Sequence, residues 1–248
     1  MYMGANKLCL LWQNQESRNW YHIGNLLYDQ QKYYFEYQTE PTKRNVYDAL
    51  KNGYRIHPTF PDLDEKYGSS VLFSAFARRL PSLNRKDYQV ILRNLGITNE
   101  TNEFEIMSIT GGASHSDNYE FLKPIESDGE NFKLDFYLRG WRHYNEESES
   151  LLENDVLTLV RESDNEYDSD AVAVYKNEDK KIGYVPAFYS QFISQMIESY
   201  EDNVRYDLEH KFDPEAPSHF KVEMNIKGLD NSRVLQSYFE STVVERDN

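Results

Sequence analysis

The sequence predicts an α+β protein, with an N-terminal mixed β-meander plus helices and a C-terminal small β-barrel carrying one capping helix. Three observations lead there. Short β-branched or aromatic runs recur between turn-forming residues, which is strand patterning. Apolar side chains return at helical spacing in a few places, most clearly after Pro186. At 248 residues, 39% hydrophobic and 15% aromatic, the chain can bury a core, so wholesale disorder is excluded.

That length allows one large domain or two ordinary ones. Charge favours two. Residues 1–125 hold 14 Lys and Arg against 14 Asp and Glu, whereas residues 126–248 hold 13 against 28, which places the whole net charge of −15 in the second half. Gly111 to Asn118 is small and polar, and Ser127-Asp128-Gly129-Glu130-Asn131 is a second turn-rich break, so the boundary falls between the first stretch and Phe132. A single domain with two long loops is the alternative. The expected divisions are 1–125, 132–230 and a C-terminal extension, 231–248.

In the first half, Leu8-Cys9-Leu10-Leu11-Trp12, Tyr21 to Tyr28 and Lys32 to Tyr37 form an antiparallel meander split by Gln-Asn-Gln and Asp-Gln-Gln turns. Val46 to Leu50 is one or two helical turns stopped at Gly53. His57-Pro58-Thr59-Phe60-Pro61 is extended, because each Pro pushes its predecessor out of the helical region. Leu72 to Ala77 is a buried helical turn. Residues 85–96 put Tyr88, Ile91, Leu92 and Leu95 on one helical face, with Gly96 as the stop. Arg78, Arg79, Arg85, Lys86 and Arg93 are the one basic concentration in the chain. They are either a solvated helix face or a contact surface for an acidic partner or nucleic acid.

Ile23-Gly24-Asn25-Leu26, Tyr34-Phe35-Glu36-Tyr37, Thr59-Phe60-Pro61, Leu72-Phe73 with Phe76, and Arg79-Leu80-Pro81 resemble the N-terminal subdomain of HipA-type toxin kinases. Phe104 to Gly112 resembles that family's segment ending in a Thr-Gly-Gly loop. The same unit occurs as a separate small antitoxin in split versions of the system. The resemblance covers residues 7–125. It implies docking on a HipA-like kinase or another defence-system protein, in a toxin–antitoxin or phage-defence setting. The kinase itself has no counterpart here, since no Gly-rich phosphate loop with a downstream Lys and no catalytic Asp–Asn loop is present. Gly111-Gly112 reads as an ordinary turn.

In the second half, Phe132 to Tyr144 reads as a strand, followed by an acidic stretch from Glu146 to Glu153. Val156 to Val160, Ala171 to Tyr175 and Lys181 to Val185 are further strands. Asp164-Asn165-Glu166-Tyr167-Asp168-Ser169-Asp170 is a tight loop of residues that bond their own backbone. Pro186 opens a helix in which Phe188, Phe192, Ile193, Met196 and Ile197 recur through Tyr200. Strands at Val204–His210 and His219–Ile226 complete a small closed or half-closed barrel.

Gly140-Trp141-Arg142-His143-Tyr144, the run from Asp155 through Arg161-Glu162, Asn165, Tyr167-Asp168 and Ala171-Val172 to Val174, and Ile182-Gly183-Tyr184-Val185-Pro186 together resemble a HIRAN domain. The resemblance covers about residues 132–228. It implies an OB-like barrel that binds single-stranded DNA or a free DNA 3′ end. By motif, Arg142 would hold phosphate, Tyr167 would stack on a base and Asp168 would accept from the terminal hydroxyl. His143, Tyr144, Asn165 and Tyr184 complete the implied DNA-binding set. His143 stands where the pattern has a stacking Tyr, and Pro186-Ala187 replace a basic position. A structural reading of the same loop stays open: Asp164, Asn165 and Asp168 as turn caps, Tyr167 as core.

The single cysteine, Cys9, excludes a disulfide framework, and with six scattered histidines it excludes a Cys-rich zinc site. Glu162, Asp164 and Asp168 lack the repeat of a dedicated Mg²⁺ or Ca²⁺ site. No nucleophile–base pair or phosphate cradle is evident, so no catalysis and no cofactor are expected. No apolar run approaches eighteen residues, so a soluble protein of a reducing, cytoplasmic compartment without membrane contact is expected. A general nucleic-acid binder needs a basic excess, which the acidic half lacks; a small end-specific site does not.

Overall fold

A computed structural model describes residues 6–41, 44–81, 92, 95–98, 100–112, 118–127, 131–198, 204–230 and 243–245. The chain divides into two compact units, Met1–Pro124 and Ile125–Asn248. Among the described residues no helix is long and apolar enough to cross a membrane.

In chain order the first unit contains β1 (Asn6–Gln13), β2 (Trp20–Asp29), β3 (Lys32–Tyr37), α1 (Val46–Lys51), β4 (Tyr67–Ser69), α2 (Ser74–Ala77), α3 (Glu103–Thr110) and β5 (Tyr119–Leu122). The strands form one antiparallel sheet in the order β4-β3-β2-β1-β5. The β2–β3 hairpin closes through Gln30 and Gln31, both with positive φ (46° and 64°), the twist that a two-residue hairpin turn requires. Alternation along β3 turns Tyr33, Phe35 and Tyr37 inward. Gly24 is dictated by close approach, since a Cβ there would lie 2.7 Å from the Phe35 ring. Asn45 caps α1 by accepting from Asp48 N at 3.2 Å. A reciprocal Asn102–Glu105 capping box opens α3, and Gly111, at φ 67°, ends it.

The core of this unit is aromatic. Phe60 lies 4.3 Å from Phe35 and 5.4 Å from Phe76, centroid to centroid, and Phe76 lies 5.1 Å from Phe121. A chain of buried polar groups accompanies it. His22 Nε2 meets Asn25 Oδ1 at 2.9 Å, and Asn25 Nδ2 donates to Gln38 Oε1 at 3.1 Å. Burial drives the His22 imidazole down to about 3, with the Lys7 charge adding and the Asn25 bond opposing.

The second unit contains β6 (Ile125–Ser127), β7 (Asn131–Tyr137), α4 (Trp141–Tyr144), β8 (Leu157–Arg161), β9 (Val172–Lys176), β10 (Lys180–Tyr184), α5 (Ala187–Glu198), β11 (Val204–Phe212), β12 (Val222–Asp230) and β13 (Val243–Glu245). The strands make two sheets, β10-β9-β8 and β11-β12-β7-β6-β13. All pairs are antiparallel except β6–β13. β13 brings part of the expected C-terminal extension back onto β6. Helix α5 packs on β7, Phe192 on Phe132 and Tyr189 on Phe136.

Of the closed or half-closed barrel that was expected, the closed form is corrected by this topology. Among the described residues the sheets are joined by one isolated bridge, in which Arg139 N donates to Tyr184 O and Tyr184 N to Arg139 O, both at 2.8 Å. The cause is Gly140. Its φ of 78° turns the chain out of the β7 line, so pairing with β10 stops after a single residue. The expected strand through Tyr144 is therefore replaced by the helical turn α4. At the bridge, a Cβ on Gly183 would meet the Arg139 carbonyl oxygen and lie 2.8 Å from Leu138 Cγ, so only glycine permits this approach.

Candidate nucleic-acid interface

Two segments of the second unit present the predicted residues. The first is α4. Its Trp141 is buried against Phe212, rings 5.4 Å apart, which anchors the turn. Asn145 ties its end to β10, with Nδ2 donating to Trp141 O and to Ile182 O, each at 2.9 Å. Arg142 and His143 are thereby held at the surface, with Arg142 Nε 3.5 Å from His143 Nε2. Tyr144 beside them is 38% exposed.

The second segment is the loop from Glu162 to Ala171. Asn165 Oδ1 accepts from Tyr167 N at 3.0 Å and Asp168 N at 3.2 Å, so this side chain shapes the loop. Asp168 Oδ1 accepts from Asp170 N at 3.1 Å. Tyr167 is 67% exposed. The reading of Tyr167 as a core residue is thus corrected: the turn that Asn165 braces directs its ring outward.

A cluster that motif reading did not anticipate joins the segments. The Glu162 carboxylate accepts from Lys181 Nζ at close range, from Tyr184 OH at 2.7 Å and from Asn165 Nδ2 at 3.5 Å. Lys181 Nζ also donates to Tyr184 OH at 3.0 Å and lies 5.6 Å from the centre of the Tyr144 ring. The Tyr144 and Tyr184 rings meet edge to face at 5.8 Å. Burial raises Glu162, but the Lys181 and Tyr184 donors outweigh it and hold the carboxyl below its ordinary value. Burial pushes the Tyr184 hydroxyl up to about 12, and Lys181 keeps its proton beyond the usual lysine range because Glu162 and Tyr184 outweigh its own desolvation. The signal for Lys181 is a β-bulge. Lys181 pairs with Tyr175 and Gly183 with Val174, leaving Ile182 extra, so residues three apart share a face that ordinary alternation would deny them.

Of the seven predicted DNA-binding residues, Tyr144, Tyr184 and Asn165 are joined through Glu162 and Lys181, Arg142 and His143 flank Tyr144, and Tyr167 and Asp168 sit on the loop that Asn165 braces. Arg78 and Arg79 belong to the first unit, and Arg85, Lys86 and Arg93 lie outside the described residues. Among the described residues no group of three His, Cys, Asp or Glu side chains converges as a metal site.

Two sheets joined at one bridge thus display exposed aromatic residues, a guanidinium and a braced acidic loop. Residues 131–228 match the HIRAN domain family, and the chain carries that domain in its second unit. The crystal structure of the HIRAN domain of human HLTF is similar over 46% of this chain and 92% of that one, at 14% identity and a TM-score of 0.36. No curated protein matches the chain. The family match does not reach the first unit.

Proposed function

We propose that the second unit recognises single-stranded DNA through a free 3′ end, without catalysis. The observation that carries this reading is the 67% exposure of Tyr167 on a loop braced from within, inside a HIRAN domain. An exposed ring on a rigid turn loses little entropy on stacking, and base stacking is worth roughly 1–3 kcal/mol. Asp168 accepts from a terminal hydroxyl, where an internal phosphodiester would be repelled. Arg142 holds the adjoining phosphate by charge-assisted bonds. His143 and Tyr144 extend the aromatic surface. Asn165, Glu162, Lys181 and Tyr184 position these groups.

Fluorescence anisotropy of the full chain with oligonucleotides bearing free or 3′-phosphorylated ends tests this. The free end binds more tightly, and Tyr167→Ala and Asp168→Ala each weaken it. Absence of binding at low salt, or indifference to both substitutions, refutes the reading. The first unit serves as a partner-docking unit, in a toxin–antitoxin or phage-defence setting, on the strength of its resemblance to the HipA N-terminal subdomain. Co-purification with a HipA-like kinase tests that placement.

A further inference from the structure

The larger sheet of the second unit ends on β11, which pairs with β12 over nine consecutive residues without a bulge. The direction of its bonds follows from the hairpin end. Asp213 N donates to Lys221 O at 2.9 Å, so Lys211, Glu209, Asp207 and Arg205 turn their amides towards β12, and the residues between them turn theirs to the open side. The far side of β12 agrees, since Leu138 N donates to Val222 O at 2.9 Å and the even residues of β12 therefore bond to β7. Among the described residues nothing bonds the main-chain N–H and C=O of Leu208, His210 or Phe212. The strand is held from the inner face, where the Phe212 ring lies 5.4 Å from that of Trp141 and His210 Nε2 donates to Leu152 O at 3.0 Å.

The outer face of this edge carries an ordered row of charge. Arg205, Asp207, Glu209 and Lys211 are all exposed and run positive, negative, negative, positive. β12 already answers that row with opposite signs: Lys227 stands across from Asp207 and Glu223 across from Lys211, and Lys227 Nζ lies 3.4 Å from Glu209 Oε2.

We propose that the open edge of β11 takes up an antiparallel strand of a partner protein whose outer-face residues run acidic, basic, basic, acidic. The main chain of Leu208, His210 and Phe212 supplies the rungs, and the charge order selects the partner. Three features favour this occupant. A second copy of this chain in full overlap sets Arg205 against Lys211 and Asp207 against Glu209, so every charged pair repels, and any shift that relieves this shortens the ladder. A nucleic-acid strand would bring phosphates against Asp207 and Glu209 at the centre of the edge. On the inner face Leu208, His210 and Phe212 are only half-buried, which leaves apolar surface for the partner's alternate side chains to cover.

The test is anisotropy of the fluorescein-labelled peptide Glu-Val-Lys-Val-Lys-Val-Glu with the full chain, beside Lys-Val-Glu-Val-Glu-Val-Lys, which has the same composition and net charge in the opposite order. The first binds saturably and slows hydrogen exchange at the Leu208, His210 and Phe212 amides. The second binds at least about tenfold more weakly, because each charged pair turns from attraction to repulsion. N-methylation of the three valines, whose amides face β11, abolishes binding of the first peptide, whereas N-methylation of its two lysines, whose amides face away, preserves it. The proposal is overturned by absence of saturable binding at millimolar peptide, by equal binding of the two peptides, or by indifference to methylation of the valines. It is also overturned if the same amides are protected without peptide as the chain self-associates, which assigns the edge to a second copy, or by oligothymidylate alone, which assigns it to nucleic acid. Neither Arg142 nor Tyr167 enters this contact, so oligonucleotide binding through them is read separately and either result stands without the other.

Discussion

Replacing Lys181 by Met removes the cation that holds Glu162, Tyr184 and Tyr144 together, while keeping a stem of similar length. The side chains of Lys181 and Glu162 are 23% and 19% exposed. Breaking a fully buried ion pair costs about 3–5 kcal/mol, whereas exposed pairs are worth about 0–1. With roughly four-fifths of each side chain covered, a loss of about 2 kcal/mol follows for Lys181→Met and a similar loss for Glu162→Gln. The double variant loses far less than the sum, because the second change removes the charge that the first left stranded; a coupling of about 1–2 kcal/mol is expected. The sign with pH is also set. Glu162 titrates below its ordinary value of 4.5 when folded, so its contribution is whole above that pH and is lost as the pH falls through the lowered folded value. Lys181→Met shrinks that acid loss. Urea unfolding followed by Trp141 fluorescence, with Trp12 and Trp20 of the first unit changed to Phe, measures the cycle at neutral and acid pH. Additive single losses would refute the argument.

Gly183→Ala drives a methyl group into the Arg139 carbonyl and destabilises the second unit by about 3 kcal/mol or more, measurable as a lowered urea midpoint in the same fluorescence assay. His22 binds a proton in the unfolded chain at about 6.5 but not in the folded one until about 3, so first-unit stability falls by about 1.4 kcal/mol for each pH unit between those values. His22→Gln flattens that slope in pH-dependent urea titrations. If Arg142 is the one phosphate contact, oligonucleotide affinity falls with salt at a log–log slope of about −0.7, and Arg142→Ala brings it towards zero; a much steeper slope would require further cations.

Local rules made much of the fold legible. The β2 and β3 strands, the loop before Ala171 and the helix after Pro186 all follow from alternation, turn chemistry and helical spacing within one segment. What escaped depends on partners distant in sequence or on a break in alternation. Trp141 to Tyr144 looks like strand until Gly140 is seen to be left-handed. Lys181 reads as an unremarkable surface lysine until the extra residue at Ile182 turns it towards Tyr184. The His22–Asn25–Gln38 chain joins two strands through side chains that carry no motif. The aromatic cluster around Phe60 draws on residues from Phe35 to Phe121, and only folding brings His57 beside Arg78. Whether the barrel closes was left open by the sequence, because counting strands does not reveal how many rungs join the two sheets.

Tyr184 does two separable jobs. Its amide and carbonyl fasten one sheet to the other, and its phenol grips Glu162. Any side chain but proline's, whose nitrogen carries no hydrogen, leaves the fastening in place, because that belongs to the main chain. Selection can therefore rewrite what the surface recognises here, by exchanging the hydroxyl for something else, without loosening the frame that displays it.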